Sequence, residues 1–167
     1  IEAHGGRPIM WRTGHSHLKK KMRDSRAPLG GEMSGHMVLA SGYYNIDDAI
    51  YASCRILQML SRSTESLSEM VATLPSYYST PEIRGETSDD ATKFKMVEQA
   101  VDYFKANYDV IDVDGVRVLF GDGWGLVRAS NTQPVIVMRF EARSEERLVE
   151  IQEIVTSKLR EFGEIRL

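Results

Sequence analysis

From about Ala91 onward the apolar residues change period from helical to alternating and back to helical, and that succession leaves few folds open. Phe94, Val97, Val101 and Phe104 recur every three or four positions, which predicts a helix from about Ala91 to Ala106. Ile111 and Val113 then lead into Asp114-Gly115, and Val116, Val118 and Phe120 lead out of it. Alternation on both sides of an Asp-Gly pair predicts a hairpin with a two-residue turn. Gly121–Gly125 reads as a loop, Leu126–Ala129 as a short strand and Ser130–Pro134 as another loop. Val135–Ala142 reads as a strand with Ile136, Met138, Phe140 and Ala142 on one face. Ser144 can cap a closing helix, with Glu145 and Glu146 in its first turn and Leu148, Ile151, Val155, Leu159 and Phe162 as its buried stripe. Residues 91–167 therefore read as a small α+β domain, one antiparallel sheet whose apolar face is covered by helices.

Residues 1–75 alternate shorter elements and read as part of a mixed α/β domain. Pro8–Arg12 suits a short strand and Ser16–Ser25 a basic helix started by Thr13 or Ser16. A turn carrying Pro28, Gly30 and Gly31 follows, then a polar segment, then an apolar strand at Met37–Ala40. Ile46–Arg62 is the clearest helix of this half. Its Ile50, Cys54, Leu57 and Leu60 lie one turn apart, and Asp47 and Asp48 favour its positive end. Leu67–Leu74 is a shorter helix stopped by Pro75. Ser76–Asp90 is rich in Ser, Thr, Pro, Gly and charge without a period, so 76–90 reads as a linker.

Composition excludes several roles. A net charge of -3 gives no general reason to bind nucleic acid. Locally, Arg7, Arg12, Lys19, Lys20, Lys21, Arg23 and Arg26 face a single acid, Asp24; this is either a solvated helix face or an anion-facing surface. Cys54 is the only cysteine, which excludes an intrachain disulfide and reads as a small buried residue in a reducing compartment. No apolar stretch approaches the roughly 20 residues of a membrane span, and the N-terminus does not have the layout of a signal peptide. A cytoplasmic protein is expected, with no membrane partner. The chain begins at Ile1 within what reads as structured sequence, so it is expected to be part of a longer protein.

Two segments hold more polar chemistry than packing needs. In Gly31-Glu32-Met33-Ser34-Gly35-His36 a carboxylate, a hydroxyl and an imidazole lie two apart, so an extended backbone would turn Glu32, Ser34 and His36 to one side. That set suits vicinal sugar hydroxyls, with an imidazole able to exchange a proton near neutral pH; a polar turn flanked by glycines explains the spacing equally well. In Arg128-Ala129-Ser130-Asn131-Thr132-Gln133-Pro134 a guanidinium fork and short hydroxyls lie between two strands. This is either a phosphate cradle or an ordinary turn with an arginine on its rim. Asp122, alone between Gly121 and Gly123, cannot supply the oxygen ligands of a magnesium site. Gly121-x-Gly123-x-Gly125 precedes a strand rather than a helix and so is no dinucleotide site. His4, His15 and His17 lack a carboxylate or thiol set for a metal.

GGEMSGH followed by DDAIYASCRILQML resembles the sugar-binding loop and next helix in the third domain of the phosphomannomutase/phosphoglucomutase branch of the α-D-phosphohexomutases. GWGLVRASNTQPVIVMRFEA resembles the phosphate-binding loop of their fourth domain, and TGHS, KKKM and STPEIR match as well. The resemblance covers essentially the whole chain, in the family's order. It implies a partial α/β third domain followed by a fourth domain of TATA-binding-protein-like α+β fold. It further implies that Glu32 and Ser34 contact sugar hydroxyls with His36 beside them, that His15 and His36 are candidates for proton transfer, and that Arg128, Ser130, Asn131 and Thr132 bind the phosphate that is not transferred. The family reaction passes a phosphoryl group from a phosphoserine to a hexose phosphate by way of glucose or mannose 1,6-bisphosphate, with Mg2+. Neither the serine loop (TASHNP-like) nor the aspartate-rich magnesium loop (DGDGDR-like) occurs here, so Mg2+ is expected outside this chain and the chain is expected to be inactive alone. A stand-alone phosphosugar-binding module is the alternative from another class. A glucosamine phosphate mutase is disfavoured, since that branch usually reads Ser-Gly-Thr and Gln where Asn131 and Met33 stand.

Overall fold

In the computed structural model, which describes residues Ile1–Arg166, the chain falls into two units, Ile1–Pro75 and Ser76–Leu167. The first unit contains helix α1 (His15–Ser25), strands β1 (Leu29–Gly31), β2 (Met37–Leu39) and β3 (Ile46–Asp47), and helices α2 (Ala49–Ser61) and α3 (Leu67–Ala72). The strands form an antiparallel sheet in the order β1-β2-β3. Helix α1 lies directly on β1: a Cβ added at Gly30 would come within 2.5 Å of the Met22 sulfur and 3.0 Å of Leu18, so a larger residue there would push these side chains aside. Met22 and Val38 are buried there. Asp48 caps α2 by accepting the Tyr51 N–H at 2.9 Å, and Ser66 and Glu69 form a reciprocal capping box at the start of α3.

Several expectations for this unit are corrected. Pro8–Arg12 is not a strand, because no strand lies beside it among the described residues and a lone extended run has no ladder to join. Ile9, Met10 and Trp11 are exposed, and the Lys21 ammonium sits 4.0 Å from the Trp11 ring centre. Leu29–Gly31, read as a turn, is a strand. Helix α2 begins later than Ile46 because Ile46 and Asp47 pair with Leu39 and Val38. Its buried face is also not the expected one. Ala52 is buried, whereas Ile50 is 80% and Leu57 64% exposed and Cys54 lies at the surface. Periodicity places those residues on one stripe, but among the described residues nothing covers it.

The second unit holds β4 (Tyr78–Ser79), β5 (Ile83–Glu86), α4 (Asp90–Asn107), β6 (Asp109–Ile111), β7 (Val116–Leu119), β8 (Gly123–Ala129), β9 (Val135–Ala142) and α5 (Glu145–Phe162). Its antiparallel sheet runs β4-β9-β8-β7-β6, with β5 also paired to β9. Helices α4 and α5 pack on one face of this sheet. Phe104, Val116, Val118, Val127, Ile136, Met138, Phe140, Ile151, Val155 and Leu159 are fully buried between them. Each such side chain contributes roughly 1.5–3 kcal/mol by leaving water, which makes this the core of the unit. Residues 76–90, expected to be a linker, supply β4 and β5 instead, because Ile83–Glu86 find open ladder positions on β9. Gly123–Gly125, read as a loop, belong to β8. The hairpin connection is wider than two residues: β6 ends at Ile111 and β7 begins at Val116, so residues 112–115 lie between the strands. Among the described residues no helix is long and apolar enough to cross a membrane.

Candidate functional site

The polar segment of the first unit is the β1–β2 hairpin loop. The Glu32 N–H donates to the His36 carbonyl at 2.9 Å and the Gly35 N–H to the Glu32 carbonyl at 3.0 Å, so the segment is turned rather than extended. Alternation therefore does not bring Glu32, Ser34 and His36 to one side; hydrogen bonds sort them instead. Ser34 Oγ donates to Glu32 Oε2 at 3.4 Å, and Glu32 Oε1 accepts the Gly14 N–H at 2.9 Å. The carboxylate thus sits at the start of α1, where the helix dipole favours an anion, next to the residue that precedes His15. Neither Thr13 nor Ser16 caps α1; its N-cap is Gly14, with no side-chain cap. His36 is held separately, its Nδ1 lying 2.5 Å from Asp47 Oδ2, while Asp47 Oδ1 accepts the Met37 N–H at 3.2 Å. The hydrogen bond from His36, helped by the Met37 N–H, holds the Asp47 carboxyl below its usual range against some desolvation. With Nδ1 engaged, Nε2 is the ring nitrogen left for a ligand. The result is an exposed loop with a carboxylate and hydroxyl already oriented on each other, and an imidazole fixed by its own aspartate. This equipment suits sugar hydroxyls.

The second loop joins β8 to β9. Arg128 stands on β8 opposite Val137, its side chain 17% exposed and its guanidinium 4.0 Å from Asp114 Oδ2. The β6–β7 turn presses against this strand. Gly115 has φ +68°, and a Cβ there would overlap the Val127 carbonyl and come within 2.8 Å of Arg128 Cα. Ser130 is buried; its N–H donates to the Val135 carbonyl at 3.0 Å and its Oγ accepts the Thr132 N–H at 3.3 Å. The Ser130 hydroxyl keeps its own proton for donation. Asn131 and Thr132 are exposed at the tip. Behind the loop lies Lys93, 1% exposed, whose ammonium donates to the Ser130 carbonyl at 2.7 Å, the Gln133 carbonyl at 2.8 Å and Asp90 Oδ1 at 2.7 Å. Arg128 at the end of β8 and Ser130, Asn131 and Thr132 in the adjoining loop thus offer a guanidinium, hydroxyls and a backbone N–H, donors suited to a phosphate dianion.

Among the described residues no three His, Cys, Asp or Glu side chains converge to hold a metal ion. Asp122 instead accepts from Arg147 Nε at 3.0 Å through both oxygens. The residues present do not fit Mg2+.

Two domain models match the chain: "Phosphoglucomutase/phosphomannomutase, alpha/beta/alpha domain III" over residues 1–78 and "Phosphoglucomutase/phosphomannomutase, C-terminal domain" over residues 82–158. The chain belongs to the phosphoglucomutase/phosphomannomutase family. Phosphomannomutase/phosphoglucomutase of Pseudomonas putida is 45% identical over 162 residues, covering 95% of this chain and 34% of the relative. Phosphoglucomutase of Neisseria gonorrhoeae is 40% identical over 154 residues, covering 91% of this chain and 33% of its own length. A solved phosphoglucomutase/phosphomannomutase family protein from Burkholderia thailandensis superposes with a TM-score of 0.84 at 36% identity, covering 99% of this chain and 36% of that one. The chain thus spans about a third of the length of the curated relatives it matches, and within the family it corresponds to the third and fourth domains.

For this phosphoglucomutase/phosphomannomutase segment, sequence reasoning missed Asp47, Asp114 and Lys93. Asp47 was read as a helix-end charge and Asp114 only as a turn former. Lys93 had a usable signal: with Val97, Ala100 and Phe104 it stands in the buried register of α4, where a lysine needs internal partners. Phe94, placed on the buried stripe by the sequence, is 54% exposed instead.

Proposed function

We propose that this chain is the substrate-recognition part of a cytoplasmic phosphohexomutase that interconverts the 1- and 6-phosphates of mannose and glucose. The loop of the second unit carries this reading: Arg128, the Ser130 and Thr132 hydroxyls and the Asn131 N–H, which has no acceptor among the described residues, supply adjoining donors for an anion, with Asp114 4.0 Å from the guanidinium. Glu32 and Ser34 would take sugar hydroxyls, and His36 and His15 are the candidate proton carriers beside them. Arg128, Ser130, Asn131 and Thr132 would hold the phosphate that stays in place. Holding the substrate by its ring and its distal phosphate lowers the entropic part of the barrier for either phosphorylated end. The nucleophilic serine and the Mg2+ that neutralises phosphate charge belong, on this reading, to other domains of the parent enzyme, and a hexose 1,6-bisphosphate is its intermediate.

Arg128→Ala in the parent enzyme tests the assignment. Loss of a charge-assisted fork should weaken mannose 1-phosphate binding about 10–100-fold while leaving a neutral hexose unaffected. Equal losses for both ligands would remove the phosphate role. Turnover of mannose 1-phosphate by the 167-residue chain at an enzyme-like rate would show that the transfer machinery lies within it. Submillimolar binding of mannose 6-phosphate without turnover would mark a stand-alone binding module instead.

A further inference from the structure

A lysine ammonium has three donors, and those of Lys93 are all engaged inside the protein, two of them by carbonyls of the phosphate loop. We propose that Lys93 is a positioning residue that aims the backbone of this loop at the bound phosphate. The inference rests on the phosphate reading above and adds a residue that makes no contact with the ligand itself.

The argument follows from peptide geometry. Among the described residues there are no cis peptide bonds, and in a trans peptide the C=O of one residue and the N–H of the next point in opposite directions. Drawing the Ser130 carbonyl inward to Lys93 therefore turns the Asn131 N–H outward, at the exposed tip. That N–H has no acceptor among the described residues. At the other end of the loop Lys93 holds the Gln133 carbonyl, and the following residue is Pro134, which has no N–H to turn outward. One cation thus fixes both ends of Ser130–Gln133 and presents the Asn131 N–H as a backbone donor. The Ser130 N–H to Val135 carbonyl bond and the Val135 N–H to Gln133 carbonyl bond close the loop over the same center. Burying an ammonium at 1% exposure is costly unless every proton is matched, and here each one is. A methionine of similar shape would fill the space in the apolar register of α4 but leave the Ser130 carbonyl without a donor and the Gln133 carbonyl with the Val135 N–H alone.

The test is a titration of the 167-residue chain with inorganic phosphate, followed by the backbone amide signals. In the unmodified chain the Asn131 amide should shift with phosphate. In Lys93→Met, with the rest of the spectrum retained, that response should vanish and phosphate should bind about tenfold more weakly. Arg128→Ala should weaken binding while leaving the Ser130 and Gln133 carbonyl signals where they are. If Lys93→Met does not fold, Lys93→Leu, which also removes every donor on a shorter apolar side chain, carries the same comparison. A normal Asn131 response in either lysine variant overturns the proposal, as does phosphate drawing Lys93 Nζ off the two carbonyls, which their carbonyl carbon signals would report. Failure of the phosphate reading looks different: no amide of the loop responds in the unmodified chain, and Arg128→Ala changes nothing.

Discussion

The two units hold their loops by different means. In the second, the Ser130–Gln133 loop is anchored to β8, β9 and a buried lysine, all resting on a core that includes Phe104, Ile136, Met138, Phe140 and Leu159. In the first, the buried apolar side chains among the described residues are Met22, Val38 and Ala52, and the Glu32–His36 loop is held by surface hydrogen bonds to Gly14 and Asp47. A loop built on a packed sheet keeps its geometry at the cost of adaptability. A loop held by exposed polar contacts, each worth about 0.5–1.5 kcal/mol, can exchange them for ligand hydroxyls. The difference suits a rigid phosphate anchor in one unit and an adjustable hydroxyl grip in the other.

The sharpest way to break this comparison is one substitution made in both units. Leu159→Ala removes a fully buried side chain between α5 and the sheet and should destabilise the second unit by about 2–5 kcal/mol. Leu57→Ala removes a side chain that is 64% exposed on α2 and should change stability by less than about 0.5 kcal/mol. Denaturant unfolding, read by signals assigned to each unit, measures both. Comparable losses would mean that Leu57 is covered in solution and that the contrast between the units is overstated.

That contrast also explains what the sequence made legible. Strand β9 and helix α5 were readable because their apolar positions are periodic and the partners that bury them lie within the same unit: Ile136, Met138, Phe140 and Ala142 face Ile151, Val155 and Leu159. The stripe of α2 was equally periodic, yet periodicity reports a face and not whether anything covers it. Residue types pointed to the chemistry proposed for both loops, since a guanidinium beside short hydroxyls suits an anion in any backbone shape. The geometry was less accessible. The Glu32–Ser34–His36 alternation assumed an extended chain, whereas β1 and β2 close it into a hairpin. Lys93 reaches Ser130 across 37 positions and His36 reaches Asp47 across 11, and only the fold brings such pairs together.

A smaller effect sharpens the anchor side of the comparison. Gly115 adopts φ +68° against the strand that carries Arg128, so Gly115→Ala meets both a disfavoured backbone angle and the Val127 carbonyl. The expected cost is about 1–3 kcal/mol, with phosphosugar affinity falling because the β6–β7 turn and Asp114 move away from the guanidinium. Gly121→Ala is the control: its φ is also positive, at +81°, but nothing lies near the added Cβ. It should cost about 1–2 kcal/mol from the backbone angle alone and leave affinity unchanged. If both variants lose affinity equally, the contact between turn and strand does not position Arg128.

The smallest expected effect lies in the polar scaffolding of the first unit and is read by pH. Tyr43 donates to Asp48 Oδ2 at 2.5 Å while Asp48 Oδ1 accepts the Tyr51 N–H, so a single carboxylate joins the α2 cap to a stacked Tyr43–Tyr51 pair. The hydrogen bond to Asp48 pushes the Tyr43 phenol up to about 12, and the same bond, with the Tyr51 N–H, holds the Asp48 carboxyl below its usual range. Tyr43 is raised in the folded state, so its contribution is complete below pH 10.0, the ordinary tyrosine value, and is lost as pH rises through about 12. Asp48 is lowered, so its contribution is present above pH 3.8, the ordinary aspartate value, and is lost as pH falls through its folded value. Phenolate absorbance should therefore show a late component near pH 12 that Tyr43→Phe abolishes. The same variant should move the acid loss of α2 helicity upward, toward pH 3.8. A titration without the late component, or an acid limb that Tyr43→Phe leaves in place, would mean that this network does not hold α2 in solution.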